Sequence, residues 1–205
     1  MAQAENAFSK ARVEAFSDGV LAVIITIMVL DLKAPESDDL AALTRLWPSF
    51  AIYVVSFAFV AIYWINHHAL LAAARQATAT LIWANNALLF CLSLIPFATA
   101  YVGATHLSPL ATAVYAALQF ACGLSFMLTF STIVAQRRDD AEFIAAARSQ
   151  RLQHFAANAV YLVSILVAAI SPVSALALFL AIAIAYVVPG LFSERPLSRS
   201  ARFEG

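Results

Sequence analysis

Long apolar runs, broken by a few charged clusters, organise this chain. Charged side chains are missing between Arg45 and Arg75, between Arg75 and Arg137, and between Arg151 and Glu194, which leaves gaps of 29, 61 and 42 residues. Crossing a hydrocarbon core takes about 20 apolar residues in a helix, so each gap predicts one or two spans. The first gap holds one, about 47–71. The second divides at the turn-forming stretch 103–109 into about 77–102 and 110–135. The third divides at Ser171, Pro172, Val173 and Ser174 into about 155–171 and 173–190. A first segment, about 13–32, brings the total to six. The expectation is an all-α membrane protein with one six-helix domain over residues 1–205, in which the connection 136–153 extends its flanking helices beyond the bilayer.

Composition agrees with that pattern. Of 205 residues, 63% are hydrophobic and 12% charged, against roughly 25% charged in ordinary soluble domains. Twelve basic and twelve acidic residues cancel, so no net charge draws nucleic acid. Six passes put both termini on one side. If that side is the cytoplasm, the inner segments hold Lys10, Arg12, Arg75, Arg137, Arg138, Arg148, Arg151, Arg195, Arg199 and Arg202, leaving only Lys33 and Arg45 outside. The positive-inside rule selects this orientation; the expected location is the plasma (inner) membrane, as a multi-pass protein. The first outer connection is acidic, with Asp31, Glu36, Asp38 and Asp39, and Trp47 and Tyr101 suit an outer interfacial belt. A polar N-terminus without a small-residue cleavage site argues against a removable signal peptide.

The first helix carries the unusual chemistry. From Gly19 to Leu30 there are only 12 uncharged residues, about 18 Å of helix against a core of about 30 Å. The helix therefore begins before Asp18 and draws a carboxylate into the membrane, where an ionisable group needs a function or a partner. Partners at the same depth are Trp64, Asn66, His67 and His68 in the second helix, Trp83, Asn85 and Asn86 in the third, and His154 and Asn158 in the fifth. Two readings of this layer stand: a hydrogen-bonded lock between helices, or a proton path. On a helical wheel Gly19, Val23, Thr26, Ile27 and Leu30 share one face, while Asp18, Ala22, Ile25 and Val29 lie about 130° away.

The run Arg12-x-x-x-Phe16-Ser17-Asp18 resembles the signature that opens the transmembrane protein 175 potassium-channel family. Trp64, His67 and His68 in the second helix and Asn85 or Asn86 in the third resemble it too. The resemblance implies a homotetramer of single six-helix chains in the lipid bilayer, with the first helices lining a pore for the permeant potassium ion. It implies that rings of Val23, Ile27 and Leu30, with a ring of Thr26 and a wider mouth at Gly19, form a hydrophobic constriction in place of a carbonyl filter. It also places Arg12, Phe16, Ser17, Asp18, Trp64, His67, His68, Asn85 and Asn86 in the motif and inter-helix network. Val23 is smaller than the usual Ile or Leu of that family. The function expected is a potassium-selective, leak-like cation channel. The alternative is a proton-coupled carrier using Asp18 and the His67/His68 layer, although neither broken helices nor a repeated half is evident in the sequence.

Other chemistries find little material. Tyr101-Val102-Gly103 lacks the second glycine and preceding pore helix of a carbonyl filter. Adjacent His67 and His68 point about 100° apart on a helix and do not grip one metal ion together. Cys91 and Cys122 lie inside apolar stretches, which argues against a disulfide framework or zinc site. No nucleophile elbow, metalloprotease pair or phosphate loop occurs among these residues with only five glycines. The expectation is a non-enzyme without a resident metal or cofactor.

Overall fold

The structure is a computed structural model that describes residues 9–35 and 37–187. Eight helices account for most of them: α1 (Lys10–Leu30), α2 (Leu40–Arg45), α3 (Trp47–Ala72), α4 (Ala79–Ser93), α5 (Ile95–Ala104), α6 (Pro109–Gln136), α7 (Ala141–Ile170) and α8 (Pro172–Val187). Side-chain oxygens cap six of their starts. Ser9, Asp39, Thr78, Ser108, Asp140 and Ser171 each accept a backbone N–H three residues on, satisfying a donor that a helix N-terminus otherwise leaves bare.

Five segments among the described residues are long and apolar enough to cross a membrane: α1, α3, the stretch Ala79–Ala104, α6 and α7. The sixth apolar helix, α8, is shorter as described, and its expected end near Pro189 and Gly190 lies outside the described residues.

Several expectations need correction. The first helix starts at Lys10 instead of residue 13, because Ser9 caps it. The third span, expected as one helix over about 77–102, is interrupted at Leu94. Pro96 has no N–H to give the carbonyl of Leu92, so the α4 ladder stops and α5 resumes after Leu94. Gly103 is no turn residue but a buried position of α5, where an added Cβ would sit 2.9 Å from the Ser49 hydroxyl. Left-handed φ values occur instead at His106 and Leu107 (52° and 62°), which carry the turn into Ser108 and Pro109. Helix α7 begins at Ala141, about four turns before the apolar part expected from 155, in keeping with the expectation that the connection 136–153 extends its flanking helices.

α1 lies along α3, α4 and α5, whereas α7 packs chiefly on α6 and α8. Two apolar cores result. One joins Leu21, Ile24 and Met28 of α1 to Leu88, Leu92 and Phe126. The other gathers Phe59, Tyr115 and Tyr161 around Phe179, with ring centroids 5.2–6.5 Å from it. A buried polar thread ties the interrupted span to its neighbours: the Thr99 and Ser56 hydroxyls are 2.7 Å apart, Ser56 and Tyr115 are 2.9 Å apart, and Gln119 donates to Tyr115 at 3.3 Å. Four scattered polar residues in apolar runs are the sequence signal for it.

At the end where α3 and α6 finish, two loops are latched. Arg75 holds Asp139 with both terminal nitrogens at 2.7 and 2.9 Å. The Gln136 side chain accepts from the N–H groups of Arg75 and Gln76, and Arg137 reaches the Ala73 carbonyl, Asp140 and the Phe143 ring. The hydrogen bonds from Arg75 hold the Asp139 carboxyl below its usual range. The N–H of Phe143, then Arg137, does the same for Asp140. A carboxyl whose folded value lies below its unfolded one stabilises the fold above the ordinary carboxylate range, and that contribution disappears as pH falls through the folded value. The melting difference between the parent protein and Asp139→Asn should thus be constant from about pH 5 to 8 and shrink below about pH 4.

Candidate functional site

Alternate strips of α1 meet different surroundings. Leu21, Ile24 and Met28 are 1–3% exposed. Val23, Ile27 and Leu30, equally apolar, are 54%, 46% and 77% exposed. On the same strip stand Thr26, exposed, and, one turn before Val23, Gly19, where a Cβ would meet no atom within 4 Å. Ala22 and Val29, placed with Asp18 by the wheel, are exposed as well, so the open face is broader than the stripe alone. A helix apolar on both faces belongs inside a larger assembly or a bilayer.

Thr26 gives this face its oxygen chemistry. Its hydroxyl donates back to the carbonyl of Val23 at 2.9 Å, with that of Ala22 at 3.1 Å. With the proton turned to the backbone, the Oγ1 lone pairs remain for a cation or water.

Behind the stripe, Ser17 faces inward and meets a compact polar hub. Asn85 of α4 accepts from His67 Nε2 at 2.6 Å and donates to the Ser17 hydroxyl at 3.0 Å, and Ser17 donates to the Val13 carbonyl at 2.8 Å. All three side chains are buried. Asp18 sits one residue around the helix and accepts from Trp64 Nε1 at 2.9 Å. His68 is exposed, its ring 6.3 Å from that of Trp64. Asn86 is half-buried and Phe16 exposed. Arg12 is exposed, and Glu14 pairs with Lys10 at 3.9 Å. Lys10 also donates to the Ala72 carbonyl at 2.7 Å, fixing the start of α1 to the end of α3.

The single polar layer expected across four helices is two clusters. The second lies around a cavity of about 30 Å³ between α3, α6, α7 and α8, whose lining includes Asn66, Gly123, His154, Asn158 and Tyr186. Tyr186 and His154 Nδ1 are 3.3 Å apart. The Asn158 amide donates to the His154 carbonyl at 3.0 Å. Among the described residues no hydrogen bond joins this cluster to Asp18 or His67. Gly123 is what admits Asn158, because a methyl there would collide with its side-chain amide. Gly123→Ala should cost about 1–3 kcal/mol through overpacking, measured as a lower melting temperature in detergent. An unchanged melt would show that Asn158 has room to turn away. The described residues hold no group of three or more His, Cys, Asp or Glu suited to a metal ion.

Comparison with known proteins gives this arrangement a context. Residues 12–96, which carry α1, α3 and the hub, match the family described as endosomal/lysosomal potassium channel TMEM175. A potassium channel of Chryseobacterium sp. (strain P1-3) is 33% identical over 192 residues, covering 94% of this chain and all of the relative. A human protein named endosomal/lysosomal proton channel TMEM175 is 42% identical over 82 residues, 34% of this chain but 16% of its own length. The crystal structure of a lysosomal potassium-selective channel TMEM175 homolog from Chamaesiphon minutus superposes with a TM-score of 0.77 at 26% identity, covering 86% of this chain and 95% of that one. With a relative matched along its whole length and the fold shared, this chain belongs to the TMEM175 channel family.

Proposed function

We propose that the chain forms a potassium-selective, leak-like cation channel in which four copies of α1 surround the ion path. The observation that carries this reading is the open strip of α1: three bulky apolar side chains, a threonine and a glycine left uncovered by their own chain while the opposite strip is packed. Relatives named as potassium channels support the choice of ion. Four-fold symmetry turns each residue into a ring. Val23, Ile27 and Leu30 impose a dehydration barrier, Thr26 oxygens replace part of the hydration shell, and Gly19 widens the inner mouth. The hub of Ser17, His67 and Asn85, with Asp18 on Trp64 beside it, holds α1 at a fixed rotation so that these rings align; Arg12 and Phe16 at the inner end, with His68 and Asn86, complete the motif. The topology is six passes in one domain over residues 1–205, both termini cytoplasmic, in the plasma membrane. No cofactor or catalytic cycle is needed.

The animal relatives are named proton channels, which keeps proton movement through Asp18 and the His67/His68 layer as the second reading. Separation of Asp18 from His67 in the hydrogen-bond pattern favours the lock over the relay. Purified protein in liposomes under a potassium gradient separates the two. A channel gives rapid flux with a reversal potential near that of potassium; slow, saturable flux that follows the pH gradient would favour a carrier.

A further inference from the structure

We propose that the outward face of α7 is a binding site for an anionic phospholipid of the inner leaflet. At a rise of 1.5 Å per residue, the 19 steps from Ile170 back to Arg151 measure about 28 Å, close to the thickness of a hydrocarbon core. Arg151 thus stands at its inner boundary, and Arg148 lies about 4.5 Å farther into the headgroup layer. Both are exposed, and neither guanidinium has an acidic partner among the described residues. This contrasts with Arg75 and Arg137, whose carboxylates are in place.

The same helical face continues below them. Phe155, Ala159, Leu162 and Leu166 follow Arg148 and Arg151 at spacings of three and four, and all are exposed. Such spacing lines side chains up along one face of a helix. Ala159 leaves a shallow place between the larger Phe155 and Leu162. The Arg151 guanidinium lies over the Phe155 ring, 5.5 Å from its centroid, which orders it at the junction of charge and hydrocarbon. Two cations above an apolar strip of acyl-chain length match a phosphate with its tail attached. A guanidinium pair offers forked donors to phosphate oxygens. Helix α7 packs chiefly on α6 and α8 while α1 packs on α3, α4 and α5, so this face lies away from the proposed ion path.

The test titrates the delipidated full chain in an uncharged detergent with phosphatidylglycerol, phosphatidylcholine or inorganic phosphate, reading bound adducts by native mass spectrometry and stabilisation by melting. The parent protein should bind phosphatidylglycerol in preference to phosphatidylcholine. The R148Q/R151Q double variant should bind it about 30-fold more weakly, the effect of two basic groups near an anionic surface, with an unchanged melt in phosphatidylcholine showing that it folds. R138Q, off this face, should bind as the parent does. Equal binding of the two lipids, undiminished binding by R148Q/R151Q, an equal loss in R138Q, or inorganic phosphate matching the lipid would each overturn the proposal. None of these readouts depends on ion flux, so they stand apart from the channel reading.

Discussion

Liposomes carrying Ile27→Ser are expected to pass sodium as well as potassium. In a four-fold pore the substitution replaces one ring of apolar side chains by hydroxyls, at a position 46% exposed and so only partly packed within its own chain. Water and a hydrated ion then cross with less stripping of the hydration shell. A selectivity loss of only ~1.4 kcal/mol in relative barrier height lowers the potassium-to-sodium permeability ratio about tenfold. With potassium on one side and sodium on the other, the reversal potential should move toward zero while total flux rises. Leu30→Ser should act in the same direction. Met28→Ser, on the packed strip, should instead lower stability and leave the selectivity of surviving channels unchanged. A parent-like reversal potential for Ile27→Ser would remove this ring from the selectivity step.

Asn85→Leu should have the largest effect on the amount of assembled protein. Asn85 satisfies His67 and Ser17 at once, with all three buried. Leucine leaves His67 Nε2 without its partner and takes the donated bond from Ser17, which keeps its own link to Val13. An unsatisfied buried group costs about 1–3 kcal/mol, toward the lower end inside a membrane, where the unfolded reference also finds partners. The expected outcome is a lower melting temperature and a smaller peak for the proposed tetramer in size-exclusion chromatography. Asn86→Leu, at the half-buried neighbour, should leave both close to the parent values, and an equal loss in the two variants would argue against the hub.

The distribution of charge made the spans legible, since 20 apolar residues in sequence have few other uses. The break at Leu94 was harder to see because Pro96 is compatible with an unbroken membrane helix, in which neighbouring groups take up the freed carbonyl. The Gly103 reading failed for a related reason. A glycine before a proline-marked turn looks like a turn residue, while its use here is the close approach of Ser49, which only tertiary packing reveals. At the candidate site the wheel grouped Val23, Thr26, Ile27 and Leu30 on one face because helical geometry is local, but it set them against Asp18, Ala22, Ile25 and Val29 and did not single out Leu21, Ile24 and Met28 as the packed strip. Depth along the chain, however, does not give rotation. Asn66 and Asn85 belong to the same predicted layer but face different neighbours, Asn66 toward the His154 cavity and Asn85 toward Ser17. Polar residues at one height therefore formed two separate clusters.

Silver-ion block of single-cysteine channels, in a background with Cys91 and Cys122 replaced by alanine, tests directly whether the uncovered strip of α1 faces permeating ions. Cysteine at Gly19, Val23, Thr26 or Leu30 should make potassium flux fall rapidly and irreversibly on addition of silver. Cysteine at Leu21, Ile24 or Met28 should leave it unaffected. Block at the packed positions, with none along the strip, would contradict the account.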